Sequence, residues 1–324
     1  MKAAFFAFIV FTANCLAWAS AAQAQAYPSR PIHMIVAYAP GGAVDVVARK
    51  TAASLGKYLN QTVIIENRPG ASGNIGGDYV SKSRPDGYTL LFAPSTLIAN
   101  PLVMKNKPPF DVQKDLAPIS LVASGPLLLL VPMSGPTSVR EFVANAKGRP
   151  DRVNFGTGGF GSAGHLSAEY FKLKSGIDNT PMILYRGTGP AMNDLISGQL
   201  SAMMDTSLSA MPQVRAGRVR ALAITADKRD PLFPDVPTFA EAGFSDMQFS
   251  TWYGVWGPAG LPKAVTSKLA QAFKIVLSSP ENQAWLAQQG YEASPISGAS
   301  LNSFLHKETT RYEHIVRDGH IEPR

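Results

Sequence analysis

Glycine-rich turns set just ahead of helical periodicity are the clearest chemical signal in this sequence. Pro40-Gly41-Gly42, Ser72-Gly73-Asn74, Gly161-Ser162 and Gly187-Thr188-Gly189 each lead into such a segment. A helix begun this way leaves its first backbone N–H groups unpaired, with the positive end of its dipole behind them, and this arrangement favours an anion. Taken singly, each turn is better explained as a tight turn in which Ser72, Ser162 or Thr188 caps the helix. Four in one chain, two from each half, point instead to a place where a carboxylate is held.

Other side chains near these turns have two readings each. Asp45 stands near the third position of its helix with Arg49 four residues on, so dipole compensation and a surface ion pair account for both, while contact with a ligand stays open. Asp205 ends an apolar strand just before Thr206 and Ser207. There an acid can accept from a ligand hydroxyl, amine or bound water, or cap the helix that follows. Tyr185 and Arg186 close another strand, and the guanidinium fork of Arg186 has the geometry to grip a carboxylate. Tyr38 ends the first strand either as a stacking surface or as half-buried support.

Catalytic constellations are weak by comparison. Residues 156–161 satisfy G-x-G-x-x-G between a strand and a helix, with Asp178 roughly where a ribose-binding acid is sought, but the next strand carries no acid at its tip. Around Ser162 the run Phe160-Gly161-Ser162-Ala163-Gly164 lacks the leading glycine of a serine-hydrolase elbow. His165 follows Ser162 by three residues, too local for the usual base, and reads as a first-turn residue that packs or caps. His33, His306, His314 and His320 show no metal-ligand spacing. The single cysteine, Cys15, lies in the leader, so the mature chain holds neither thiolate nor disulfide.

The elements that must position these groups follow from composition and periodicity. The chain has 324 residues, is 45% hydrophobic and 16% charged, and has a mean hydropathy of +0.00, values that exclude disorder and coiled coil. A net charge of +7 is spread without basic runs, which gives no stripe for nucleic acid or a membrane surface. Lys2, the apolar run 3–19 and the small-residue tail Ala24-Gln25-Ala26 form a secretory signal peptide, 1–26, cut before Tyr27. No later stretch reaches the roughly 20 apolar residues of a membrane span. The product is expected in the periplasm.

Beyond residue 27, β-branched runs alternate with amphipathic ones, as in a layered α/β architecture. Strands are predicted at 31–38, 62–66, 88–93, 152–155, 181–185 and 200–204, and helices lead out of the glycine turns. Apolar runs at 119–131 and 249–256 are candidate crossovers between two similar domains, 27–127 plus 248–324 and 128–247. Helices at 263–277, 281–289 and 301–317 return to the first.

These residues resemble the Bug family of extracytoplasmic solute receptors, the binding subunits of tripartite tricarboxylate transporters. The resemblance runs through Ala39-Pro40-Gly41-Gly42-Ala43-Val44-Asp45, Glu66-Asn67-Arg68-Pro69-Gly70-Ala71-Ser72-Gly73-Asn74, Asp86-Gly87-Tyr88-Thr89-Leu90 and Asn100-Pro101. It continues through Gly161-Ser162 with His165-Leu166, Tyr185-Arg186-Gly187, Asp205, Pro234-Asp235-Val236-Pro237-Thr238 and Pro258-Ala259-Gly260-Leu261-Pro262. It implies a type II periplasmic-binding-protein fold, with two α/β domains joined by crossing strands around a ligand cleft. Carried over position by position, it implies ligand contacts at Tyr38, Ala39, Pro40, Gly41, Gly42, Ser72, Gly73, Asn74, Ser95, Thr96, Gly158, Gly161, Ser162, Tyr185, Arg186, Gly187, Thr188 and Asp205. The glycine content of 156–161 is unusual for the family. The implied protein is a non-catalytic monomer that takes a small carboxylated solute, needs no cofactor and serves a two-component membrane permease. A ligand sensor feeding a membrane kinase and an exported hydrolase or oxidoreductase are the rival readings.

Overall fold

The computed structural model describes residues 27–185 and 187–323, so the leader and Arg186 lie outside the described residues. Strand β1 (Ile32–Val36) is buried almost throughout. Helix α1 (Ala43–Leu59) crosses from it to the parallel strand β2 (Val63–Asn67), with Met34 opposite Ile65. The helix buries Val47, Ala48, Thr51, Ala52 and Leu55, which share one face at the 3.6-residue period. After α2 (Asn74–Ser81), β3 (Thr89–Pro94) pairs in parallel with the other edge of β1. Two further helices, α3 (Thr96–Val103) and α4 (Val112–Asp115), complete this first wing.

Strand β4 (Leu116–Pro132) is seventeen residues long and passes from one wing to the next. The second wing repeats the alternation with α5 (Val139–Gly148), β5 (Phe155–Thr157), α6 (Ala163–Ser175), β6 (Met182–Leu184), α7 (Thr188–Ile196), β7 (Ala202–Thr206), α8 (Ser207–Arg215) and β8 (Val219–Ile224). The chain returns along β9 (Ser250–Pro258) and ends with α9 (Lys263–Leu277), α10 (Pro280–Gln288), β10 (Glu292–Ala293) and α11 (Gly298–Asp318). The sheet order is β2-β1-β3-β9-β4-β7-β5-β6, with β8 and β10 also on β4.

Both expected crossovers are present, each longer than the apolar run that signals it. The handover is sharp: Pro126 of β4 pairs with Ser250 of β9, and the next residue, Leu127, pairs with Thr206 of β7. Thr225 ties the two crossings together. Its Oγ1 accepts from Leu127 N at 2.9 Å and donates to the Phe249 carbonyl, while its own N–H donates to the Leu127 carbonyl at 2.9 Å.

The predicted strand 31–38 stops at Val36, because Ala37–Ala39 turn away toward the first glycine turn. Helix α5 and strand β8 are absent from the expectation. A serine cap marks α5: Ser138 Oγ accepts from Glu141 N at 3.2 Å, and Glu141 reaches back to accept from Thr137 N, one residue before the cap, at 2.7 Å. Helix α11 packs on α3 in one wing and on α6 in the other. At its centre Glu308 accepts from the fully buried Trp252 indole at 2.9 Å and from Tyr312 at 3.1 Å, with the Arg311 guanidinium 3.8 Å from its other oxygen, so the acid on this buried face is compensated. No helix among the described residues is long and apolar enough to cross a membrane.

Candidate functional site

Strands β3 and β7 both end at the handover, Pro94 opposite Tyr253 and Thr206 opposite Leu127. The carboxyl ends of the parallel strands of both wings therefore face one another, and in open α/β sheets ligands bind outside those ends.

In the first wing a buried polar cluster holds the turn at 71–74. The Tyr38 hydroxyl lies 2.6 Å from Thr96 Oγ1 and 3.1 Å from the Ser72 carbonyl. Burial pushes the Tyr38 phenol up to about 12, against a smaller lowering by Thr96, so it stays a neutral donor. Asn100 Nδ2 donates to the Ser72 carbonyl at 3.0 Å and to Asn74 Oδ1 at 2.8 Å. Ser95 and Thr96 are buried beside them, with Ser95 N donating to the Trp252 carbonyl at 3.1 Å.

Ala39, Pro40, Gly41 and Gly42 form an exposed loop, and Gly42 opens α1 without any side-chain cap. Asp45 holds that loop from behind. Its carboxylate accepts from Gly41 N at 2.9 Å, Arg49 Nε at 2.8 Å and Asn67 Nδ2 at 2.8 Å, and Asn67 also donates to the Tyr38 carbonyl. Burial raises the Asp45 pKa, but these three bonds outweigh it and hold the carboxyl below its ordinary value. The ion pair with Arg49 is thus present, and the Gly41 amide is engaged internally. Asp45→Ala is expected to cost roughly 1 kcal/mol of stability at neutral pH, because it removes three hydrogen bonds to a buried carboxylate whose donors, the exposed Gly41 and Arg49 and the part-buried Asn67, can in part turn to water. Urea unfolding would check this: the gap from wild type should shrink as pH falls through the folded pKa of Asp45, where its carboxylate is lost.

In the second wing, Gly158 accepts at its carbonyl from Gly187 N at 2.9 Å, and a Cβ on Gly158 would lie 2.5 Å from Thr188 N. Only glycine lets these two turns lie together. Gly187 opens α7 with no side-chain cap, and Thr188 is the first helical residue. Ser162 caps α6, its Oγ accepting from His165 N at 3.2 Å. Gly161 N donates to His165 Nδ1 at 3.2 Å. Tyr185 is tied to α7, its hydroxyl donating to Asp194 at 2.6 Å.

The two wings touch at Gly161. A Cβ there would lie 2.8 Å from Val103 Cγ2 and 3.5 Å from Asn100 Oδ1, both on α3. Asn100 Oδ1 is buried with no protein hydrogen-bond partner among the described residues.

Asp205 lies at the junction of the wings. Its carboxylate accepts from Thr206 N at 2.8 Å and Ser209 Oγ at 2.5 Å, and burial raises it to about 6 against those two bonds. Thr206 rather than Asp205 occupies the cap position of α8. Tyr253 and Tyr291, hydroxyls 2.8 Å apart, lie within electrostatic reach of Asp205. Asn67, Asn100 and these tyrosines are site-shaping residues that sequence reasoning did not single out. Cavities of about 1110 and 980 Å³ lie away from the turns, flanking α11 and behind the handover, and one of about 290 Å³ lies behind the second-wing turn, lined by Phe160 and His165. The described residues contain no cluster of His, Cys, Asp and Glu suited to a metal.

The two-winged α/β sheet, with strand ends of the two wings facing one another, is the architecture of periplasmic binding proteins. Solved structures agree. The R. palustris protein Rpa4515 with adipate superposes with a TM-score of 0.86 at 32% identity, covering 92% of this chain and 100% of that one. MatC from Rhodopseudomonas palustris with bound malate gives 0.79 at 31%, covering 90% and 100%. The family profile described as tripartite tricarboxylate transporter family receptor matches residues 47–320, and the chain belongs to that family. Among its relatives, Protein BugT of Bordetella pertussis is 37% identical over 304 residues, covering 93% of this chain and 92% of the relative.

Proposed function

We propose that this chain is a periplasmic receptor, exported through a cleaved leader, that captures a small organic acid between its wings and presents it to a two-component membrane permease. The wings are its two domains, 27–127 plus 248–324 and 128–247. Family membership supports a receptor rather than an enzyme. The observation that carries the reading is that each wing has an uncapped helix start just past a strand end: Gly42 opens α1 after β1, and Gly187 opens α7 after β6. Amide donors of this kind bind carboxylate oxygens, and excluding water strengthens each bond. Gly42 and the Ser72–Asn74 turn receive one end of the solute, with Tyr38 and Thr96 as donors behind them. Gly158, Ser162, Gly187, Thr188, Arg186 and Asp205 select the other end. The bound acids of Rpa4515 and MatC, adipate and malate, make a dicarboxylate of four to six carbons the first class to test.

Native mass spectrometry for a co-purified acid, followed by a thermal-shift panel of mono-, di- and tricarboxylates, tests the proposal. A cognate acid at a hundredfold its Kd stabilises by about 2.7 kcal/mol, so a clear rise in Tm is expected for one class and none for neutral analogues. A flat panel with no co-purified acid refutes the reading.

A further inference from the structure

His165 sits directly behind the second-wing turn, 2% exposed, and contacts that turn twice. Its ring centroid lies 4.6 Å from that of Phe160, and its Nδ1 accepts the Gly161 N–H at 3.2 Å. An imidazole nitrogen that accepts carries no proton, so in the neutral ring the single proton is on Nε2. The groups around Nε2 suit this tautomer. Glu169 Oε1 lies 4.0 Å from it, and the other Glu169 oxygen is paired with the buried Lys172 Nζ at 2.8 Å. Beyond them a cavity of about 290 Å³ is also lined by Asp178, His320 and Glu322.

We propose that His165 is a positioning residue for ligand capture, which rests on the receptor reading above. By holding the Gly161 amide it fixes the turn 158–162 in the one conformation that fits against Val103 and Asn100 of the opposite wing. The Gly161 N–H is thereby withheld from the solute, and the turn enters the contact between wings already ordered. Preorganisation of this kind raises affinity by removing an ordering cost from the binding step.

The acceptor is what matters, and two substitutions separate it from bulk. Asparagine places an oxygen where Nδ1 was, whereas glutamine carries its polar atoms one bond further, where Nε2 was. Amide hydrogen exchange of Gly161 in the ligand-free protein is expected to be about tenfold faster in His165→Gln and His165→Leu, and within about threefold of wild type in His165→Asn. Adipate and malate affinities should fall about fivefold in the first two variants and be retained in the third, the scale of one lost hydrogen bond. Equal exchange in all three variants, or an asparagine variant as fast as the leucine one, overturns the proposal and leaves His165 as packing. If the exchange pattern appears but wild type binds no carboxylate, the positioning role stands and the receptor reading fails.

Discussion

Gly161→Ala is expected to weaken carboxylate binding at least about tenfold, near 1.4 kcal/mol, while leaving the protein folded. Two costs meet at this residue. With φ at +73° the backbone is in the left-handed region, where alanine loses about 1 kcal/mol of stability relative to glycine. The added methyl also lies 2.8 Å from Val103 Cγ2, closer than two carbons approach, so α3 and the turn must separate. The first cost falls on the ligand-free protein as well. The second falls on whichever state brings the wings together, and so on the bound state if the solute is held between them. A cycle with Val103→Ala separates them: the double variant should regain most of the affinity lost by Gly161→Ala, although it remains less stable than wild type. Isothermal calorimetry with the acid found in the panel, beside thermal melts of all four proteins, gives both readouts. Wild-type affinity in Gly161→Ala, or no recovery in the double variant, would show that the Gly161–Val103 contact plays no part in capture.

How far the sequence announces this arrangement differs from one feature to the next. The βαβ units are legible because α1 keeps an apolar stripe while β1 and β3 are short, largely apolar runs that need both faces covered. The crossovers are legible for the same reason, since Leu127–Val131 is buried on both faces. Strand β8 is not, because Arg220 interrupts its apolar run, and only the tertiary structure shows that guanidinium turned aside to the carbonyls of Gly135 and Pro136. At the site, glycine turns and helix starts are local and can be read directly. The groups that hold them are not local. Asn67 reaches Asp45 and Tyr38 across 22 and 29 residues, and Asn100 reaches Ser72 across 28. Such pairings depend on which strand ends lie side by side, a property of sheet order rather than of spacing. Asp45 shows the limit from the other side. Its ion pair with Arg49 follows from helix geometry, whereas its hold on the Gly41 amide does not.

Asp205→Asn is expected to make the protein more stable above pH 6 and poorer at binding. The folded carboxyl titrates near 6 against an ordinary 3.8, because it is buried. Between those values the folded state holds a proton that the unfolded chain has released, so stability falls as pH rises through this window. Above pH 6 the full cost is present, on the order of 2–3 kcal/mol at 1.36 kcal/mol per unit. Below about pH 4 both states are protonated and the cost vanishes. Asparagine fills the same space, can accept from Thr206 N and donate to Ser209 Oγ, and carries no charge to desolvate. Its Tm should therefore exceed that of wild type by several degrees at pH 8 and converge with it at pH 4. Parallel stability curves across that range would show that Asp205 carries no buried charge. Affinity is expected to move the opposite way, by about tenfold, because a carboxylate can accept from a hydroxyl, amine or water of the solute at lone pairs left over from its two present bonds. A variant that is more stable and binds as well as wild type would remove Asp205 from the ligand contacts. A charge that destabilises the fold, kept at the strand end where the two wings meet, has the character of a functional group rather than of scaffold.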